Sequence, residues 1–214
     1  MGRGRDRGDG ALHLPPGAVQ HALGGPAGGR PQEIARRAAE AGGAASVLIL
    51  FSDTGGGHRA AARALTSALL QLNPAAQVTA ADPIITEGPR LVRRLASLYS
   101  PLIQRSRAAW GVVYHGSNTR PTFAAIRALF GRSVRGVVQQ LISRHDPDLV
   151  VSVHPLLNHV SWQAIQRSGR PRGLMTVITD LVDFHQGWTF SRADLVVVPT
   201  EGARRVCLRR RVPE

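Results

Sequence analysis

Apolar positions along the chain change character at Ser46. Residues 1 to about 30 are rich in Gly, Pro and Arg and show no apolar period. They offer too little apolar surface to offset the entropy of ordering, so disorder is expected there. A short helix over 31–41 leads in, which predicts an N-terminal arm over 1–42 ahead of a folded unit over 43–214. From Ser46, runs of strand length alternate with stretches of helical period. "SVLILF" (46–51) is a continuous aliphatic run, as a central parallel strand buried on both faces requires. Residues 58–72 put alanines, Leu65, Leu69 and Leu72 on one side of a helix that Asn73-Pro74 stops. "QVTAAD" (77–82) reads as a second strand, and 89–115 as one or two basic amphipathic helices, the second opened by Pro101. Phe123, Ile126, Phe130, Val134, Val137 and Leu141 recur at helical spacing and predict a long helix over 121–145. Strand "DLVVSV" (148–153), helix 156–168, strand "LMTVIT" (174–179), a loop, strand "DLVVVP" (194–199) and helix 200–211 follow. The order β-α-β-α-β-α-β-β-α predicts a doubly wound, Rossmann-like parallel α/β sheet, with no internal repeat.

Composition adds three constraints. A chain of 214 residues can bury the core of one α/β domain or of two small ones. Its formal charge is +13, and all 27 basic side chains are Arg, an exclusivity that a GC-rich coding sequence explains. A surface this basic attracts polyanions such as nucleic acid or an anionic bilayer. One cysteine, Cys207, leaves no internal disulfide and fits a reducing cytoplasm. No apolar run approaches the ~20 residues of a membrane span, and "MGRGRDRGDG" lacks the apolar centre of a signal peptide. A cytoplasmic protein, soluble or attached to a membrane surface, is expected.

Candidate chemistry begins at "FSDTGGGH" (51–58). In a doubly wound sheet, ligands sit beyond the carboxyl ends of the strands, where strand order reverses. Gly55, Gly56 and Gly57, after Asp53, allow positive φ and close approach of backbone N–H groups. The following helix points its free N–H groups and partial positive charge at the same space, with His58 at its start. The spacing is neither GxGxxG nor GxxxxGK[ST]. Alone, it is equally a tight strand-to-helix turn capped by a histidine.

Two further loops change that balance. "HPLLNH" follows "DLVVSV" with His154 and His159, and "DLVDFHQGW" follows "LMTVIT" with Asp180, His185 and Trp188. Each histidine singly could be a hydrogen-bonded structural residue. Three such loops on one sheet edge describe a site. His154 and His159 are five apart, not the i, i+4 of a helical zinc pair, and no acid or thiol accompanies them. No metal and no resident cofactor is expected.

Residues 88–116 combine Arg90, Arg93, Arg94, Arg105 and Arg107 with Leu91, Leu95, Leu98, Leu102, Trp110 and Tyr114. An ordinary helix pair with a solvated Arg face accounts for this. So does an interfacial segment, with Arg90, Arg93 and Arg94 on anionic headgroups and Trp110 at the boundary. Nucleic-acid binding has little support, because no helix-turn-helix, zinc finger or RNP pattern occurs and aromatics make up only 5%.

The blocks "VLILFSDTGGGHRAAARAL", "PDLVVSVHPLLNHV" and "TVITDLVDFHQGW…ADLVVVPTEGARR" together resemble the monogalactosyldiacylglycerol synthase family. That family includes bacterial diacylglycerol glucosyltransferases and is related to the peptidoglycan GlcNAc transferase. The resemblance runs from about Ser46 to the C-terminus. It departs at Gln186-Gly187, where the family usually has a proline after the histidine. It implies the N-terminal, acceptor-binding domain of a GT-B glycosyltransferase, with the donor-binding domain absent from this chain. The implied reaction moves a hexose from a UDP-sugar to diacylglycerol or a related lipid, with inversion and without a catalytic metal. The missing D-x-D agrees with that metal independence. By the same resemblance His58 is the catalytic base, with Asp53 or Asp180 to orient it. Gly55, Gly56, Gly57, Asp53, His154, Asp180, His185 and Trp188 would line the acceptor site. The 88–116 region would touch the membrane. The alternatives are a non-catalytic lipid- or nucleotide-binding α/β module and, behind it, a basic nucleic-acid-binding domain.

Overall fold

The computed structural model describes residues 21–24, 45–53, 57–94, 111, 115–181, 184–189, 192–210 and 212. Strand β1 (His21–Gly24) is followed by β2 (Ser46–Leu50), helix α1 (Gly57–Leu72) and β3 (Gln77–Ala81). Then come α2 (Arg120–His145), β4 (Leu149–Ser152), α3 (Asn158–Gln166), β5 (Gly173–Val177), a 3-10 turn (Gln186–Thr189), β6 (Leu195–Val198) and α4 (Glu201–Arg209). The sheet order is β1-β6-β5-β4-β2-β3. Strands β2 to β6 are parallel, and β1 joins β6 antiparallel at the edge.

Strand β2 lies between β3 and β4, so the chain leaves it by α1 to one side and returns to the other. That reversal places the ligand crevice of such sheets beyond the carboxyl ends of β2 and β4. The period of two along each strand sorts side chains to two cores. Val47, Ile49, Val151 and Val153 face α1, meeting Ala62 and half-buried Leu65 and Leu69. Leu48, Leu50, Val150 and Leu174 share a cluster with Val134, Val138 and Leu141 of α2, Val160 and Ala164 of α3, and Val206 and Cys207 of α4. Away from the crevice, Arg170 and Arg172 clamp the turn before β4. Arg172 Nη2 lies 2.6 Å from Asp146, whose φ of 39° closes α2 in the left-handed region, and Arg170 pairs with Asp146 and Asp148.

The doubly wound parallel sheet is as the periodicity predicts, and four local features differ. Strand β1 falls within the arm expected to be disordered; it forms because β6 would otherwise leave an edge, and backbone pairing there needs little of the side chains. Leu72, expected on the apolar face of α1, is 84% exposed, since the helix ends with it and the chain turns at Asn73. Helix α3 begins at Asn158 and not at 156, because His154 Nδ1 accepts the Leu156 N–H (3.3 Å) and holds 154–157 as a turn. The 3-10 turn Gln186–Thr189 lies in what read as plain loop. The helix expected over 31–41 and most of the pair expected over 89–115 lie outside the described residues. Among those described, no helix is long and apolar enough to cross a membrane.

Candidate functional site

His58, second residue of α1, is half-buried where the loops after β2, β4 and β5 meet. Its Nδ1 lies 3.2 Å from the Thr179 hydroxyl, at the end of β5. The His154 ring meets it edge-on, 4.5 Å between centroids, and the Trp188 ring stands 6.2 Å away. Asp180 accepts the Trp188 indole N–H at 2.8 Å. Residues from the loops after β4 and β5 therefore surround His58, as the sequence predicts. Gly57 opens α1, whereas Gly55 and Gly56 lie outside the described residues.

Electrostatics distinguishes the histidines. Burial lowers the pKa of His58, opposed by a hydrogen bond with the Val153 backbone and by the negative charge of Asp180. Full burial holds His154 well below the ordinary imidazole range, aided by repulsion from His58 and His185. His185 is lowered too, first by burial, against a hydrogen bond with the Ser117 backbone and the Asp180 charge. Because His185 Nδ1 accepts the Gly187 N–H (3.1 Å), its proton sits on Nε2, 3.3 Å from Ser117 Oγ. All three imidazoles are thus neutral near pH 7, and Asp180 supplies the negative charge among them.

Two aspartates occupy separate places. Asp53 does not reach the imidazole; its carboxylate pairs with Arg59 at 2.6 Å, across the glycine turn. Asp180 acts directly on His58. Asp53 in turn is held by Asp82, which closes β3 and is 3% exposed. Asp82 accepts the Asp53 N–H (2.9 Å) on one oxygen, and the Ile84 and Ile85 N–H groups (3.0 and 2.8 Å) on the other. An acid ending a strand at the crevice edge is a visible signal, but its partners are set by a crossover of 29 residues.

His154 (4% exposed) and Trp188 (0%) form the wall behind His58, so they act by packing it and not by offering surface. The Trp188 turn is fastened from three sides. Asn158 donates to the Gly187 carbonyl (3.0 Å), Asn118 accepts the Gln186 N–H (2.6 Å), and Phe123 packs on His185 with centroids 5.2 Å apart. Gly187 is obligatory here, since a Cβ would lie 2.7 Å from Pro155 Cβ and 2.8 Å from its carbonyl oxygen. The local departure Gln186-Gly187 is therefore tied to close packing against Pro155. Ser117, Asn118, Asn158 and Thr179 carry no sequence signal of their own; tertiary contact alone makes them part of the site. His159, on the same loop as His154, is not in it: its ring lies by Trp162, 6.1 Å away. Arg90, Arg93 and Arg94 lie on a helical stretch whose Val92 is buried and whose Leu91 is 66% exposed, and all three arginines are exposed. Trp110 lies outside the described residues.

Residues 58–214 match the family profile described as "Monogalactosyldiacylglycerol (MGDG) synthase". The chain is 35% identical over 189 residues to the probable monogalactosyldiacylglycerol synthase 2, chloroplastic, of Oryza sativa subsp. indica, covering 86% of this chain and 39% of that protein. It is 32% identical over 164 residues to the Arabidopsis thaliana monogalactosyldiacylglycerol synthase 1, chloroplastic (73% and 30%). With the corresponding Spinacia oleracea enzyme it shares 34% over 151 residues (65% and 27%). The chain thus spans 39% or less of the length of these relatives. With a match that covers the crevice loops and α1 from His58 onward, the chain belongs to the monogalactosyldiacylglycerol synthase family.

Proposed function

We propose that this chain is the acceptor-binding half of a glycolipid-forming hexosyltransferase, moving a sugar from a UDP-sugar to the free hydroxyl of diacylglycerol with inversion. The observation that carries the reading is His58: a histidine kept neutral by burial at the switch point of the sheet, with the charge of Asp180 beside it. A neutral imidazole can take the acceptor hydroxyl proton while the oxygen attacks the anomeric carbon. The bond to the nucleoside diphosphate breaks with its electron pair on the leaving phosphate, and the proton stays on His58. Asp180 stabilises the imidazolium that results, its carboxylate steadied by the Trp188 indole. Between the two acids left open by the motif, this geometry favours Asp180 as the partner of His58. Asp53, paired with Arg59, braces the loop instead.

Acceptor contact would come from the glycine turn, Asp180, His185 and the exposed edge of His58. Donor recognition would belong to the remainder of the longer relatives. The exposed Arg90, Leu91, Arg93 and Arg94 suit a bilayer with anionic headgroups, which is where diacylglycerol resides. The protein would work peripherally at the cell membrane.

The test uses the full-length enzyme carrying this segment, assayed with UDP-hexose and diacylglycerol in mixed vesicles. His58→Ala lowers kcat by ~100-fold or more, the lower range for a positioned base, with circular dichroism unchanged. A variant within a few-fold of wild type would leave His58 as a packing residue only. Residues 1–214 alone should transfer no sugar, and turnover by the segment would refute the division between halves.

A further inference from the structure

Helix α4 meets the loop after β5 at both of its ends. At the N-terminus Thr200 Oγ1 accepts the Ala203 N–H at 3.0 Å, capping the helix, and donates its own hydrogen to the Leu181 carbonyl. The first turn lies close to that carbonyl, since a Cβ on Gly202 would stand 3.9 Å from it. At the C-terminus Arg210 Nη1 donates to the Phe184 carbonyl at 2.8 Å. The same guanidinium lies over the Phe184 ring, 5.1 Å from its centroid. Leu181 follows Asp180 and Phe184 precedes His185, so each hold falls next to a residue of the crevice.

The helix that makes these holds is anchored in the core. Ala203, Val206 and Cys207 bury its inner face in the cluster that also contains Phe184 and Trp188. Its end is closed by bonds from the Arg210 N–H to the Val206 and Cys207 carbonyls (3.0 and 3.1 Å), so the arginine projects from a fixed point. Length explains the choice of side chain. Thr200 and Arg210 stand about 15 Å apart along the helix, whereas Leu181 to Phe184 can span at most about 10 Å. A hydroxyl suffices at the near end, and the far end needs a long side chain that reaches back. Arginine adds a planar face for the Phe184 ring and an edge donor for its carbonyl. His185 feels this neighbour: burial lowers its pKa first, and the Arg210 charge adds to that against the Ser117 backbone bond and Asp180.

We propose that Thr200 and Arg210 are positioning residues, and that α4 is a bracket holding Asp180 toward His58 and His185 toward the acceptor. The roles of Asp180 and His185 rest on the transferase reading; the bracket itself does not. The two holds act on different residues and so on different steps. Leu181 leads back to Asp180, which bears on His58 and receives the Trp188 indole, so release there weakens base catalysis. Phe184 leads forward to His185, which is bonded to Ser117 and Gly187, so release there weakens acceptor binding.

The test pairs kinetics of the full-length enzyme carrying this segment with 1H–15N NMR of the 214-residue chain. Arg210→Met should raise the diacylglycerol KM roughly tenfold, the low end for one charge-assisted hydrogen bond, with little change in kcat. It should also move the His185 imidazole signals and raise their titration midpoint, because a charge that lowers it is gone. Arg210→Lys, which keeps the charge and one donor, should recover part of each. Thr200→Val should lower kcat and shift the Trp188 indole N–H, and Thr200→Ser should restore both. The proposal is overturned if Arg210→Met and Thr200→Val move only the urea midpoint, with both resonances and the steady-state constants at wild-type values. It is equally overturned if Arg210→Lys matches Arg210→Met, or if Thr200→Ser matches Thr200→Val. If no hexose is transferred, or His58→Ala is fully active, the transferase reading fails, and the two resonances alone decide the bracket.

Discussion

In the proposed reaction His58 and Asp180 form the working pair, and their coupling has a definite sign. Asp180 raises the pKa of His58 against the larger lowering by burial. Asp180→Asn therefore lowers it further, so the acid limb of kcat/KM in the full-length enzyme moves to lower pH while the plateau falls with the weaker base. A limb that stays put would separate Asp180 from His58. Asp82 sets the other side of the site. Asp82→Ala removes the acceptor for three buried or half-buried N–H groups. It should cost about 1–3 kcal/mol in urea denaturation, and it should speed amide exchange at Asp53, Ile84 and Ile85 above all others. The motif marks His58 and the glycines, because a strand-to-helix turn of that kind is written in consecutive residues. Asp82, Thr179 and Asn158 are single polar residues in apolar runs, and only folding shows what they touch.

Glycines separate packing from propensity among the elements. Gly187 has no room for a methyl group beside Pro155 and Phe123. Gly187→Ala should destabilise the chain by about 1–3 kcal/mol, as overpacking does, and displace Trp188 from Asp180, detectable in its indole N–H resonance. Gly136, inside α2, is the opposite case: a methyl group added there would meet nothing within 4 Å, so Gly136→Ala should stabilise by roughly 0.5–1 kcal/mol. Urea midpoints of the two variants moving in the same direction would contradict this account. Helix α2 is legible from end to end, since Thr119 caps it, Pro121 opens it and its period is long. Helix α3 is not, because a histidine ring two residues back captures the Leu156 N–H that would have begun the helix.

Across the whole molecule, His58, His154, His159 and His185 are all lowered below 6.5. The unfolded chain then binds more protons than the folded one below about pH 6.5, so stability rises with pH there and is lost on acidification. For His159 the window runs from about 6.5 to about 4. The melting temperature should fall steadily as the pH drops through that range, and His159→Gln should flatten its slope; an unchanged slope would mean His159 titrates normally. Charge makes a second global prediction. Near an anionic bilayer each arginine contributes about 1 kcal/mol, fading beyond a Debye length of ~8 Å at physiological salt. Sedimentation with anionic vesicles should therefore weaken with salt, and with Arg93→Glu/Arg94→Glu or Trp110→Ala. Indifference to both variants, or preference for duplex DNA over vesicles at ~0.15 M salt, would make the basic helices structural or favour a nucleic-acid role.

The order of strands and helices, and the loop that carries His58, are determined by the sequence alone, because hydrophobic period and glycine runs act over neighbouring residues. Strand β1 escapes that reading: four residues without a pattern of their own pair because β6 offers an open edge. The partner of His58 likewise waits on the fold. Asp53 is nearer in sequence, yet it turns to Arg59, and Asp180 arrives from 122 residues away, because the parallel order β2-β4-β5 carries the end of β5 to the start of α1. Local pattern chooses elements; only long-range packing decides which polar side chains meet and which charges they feel.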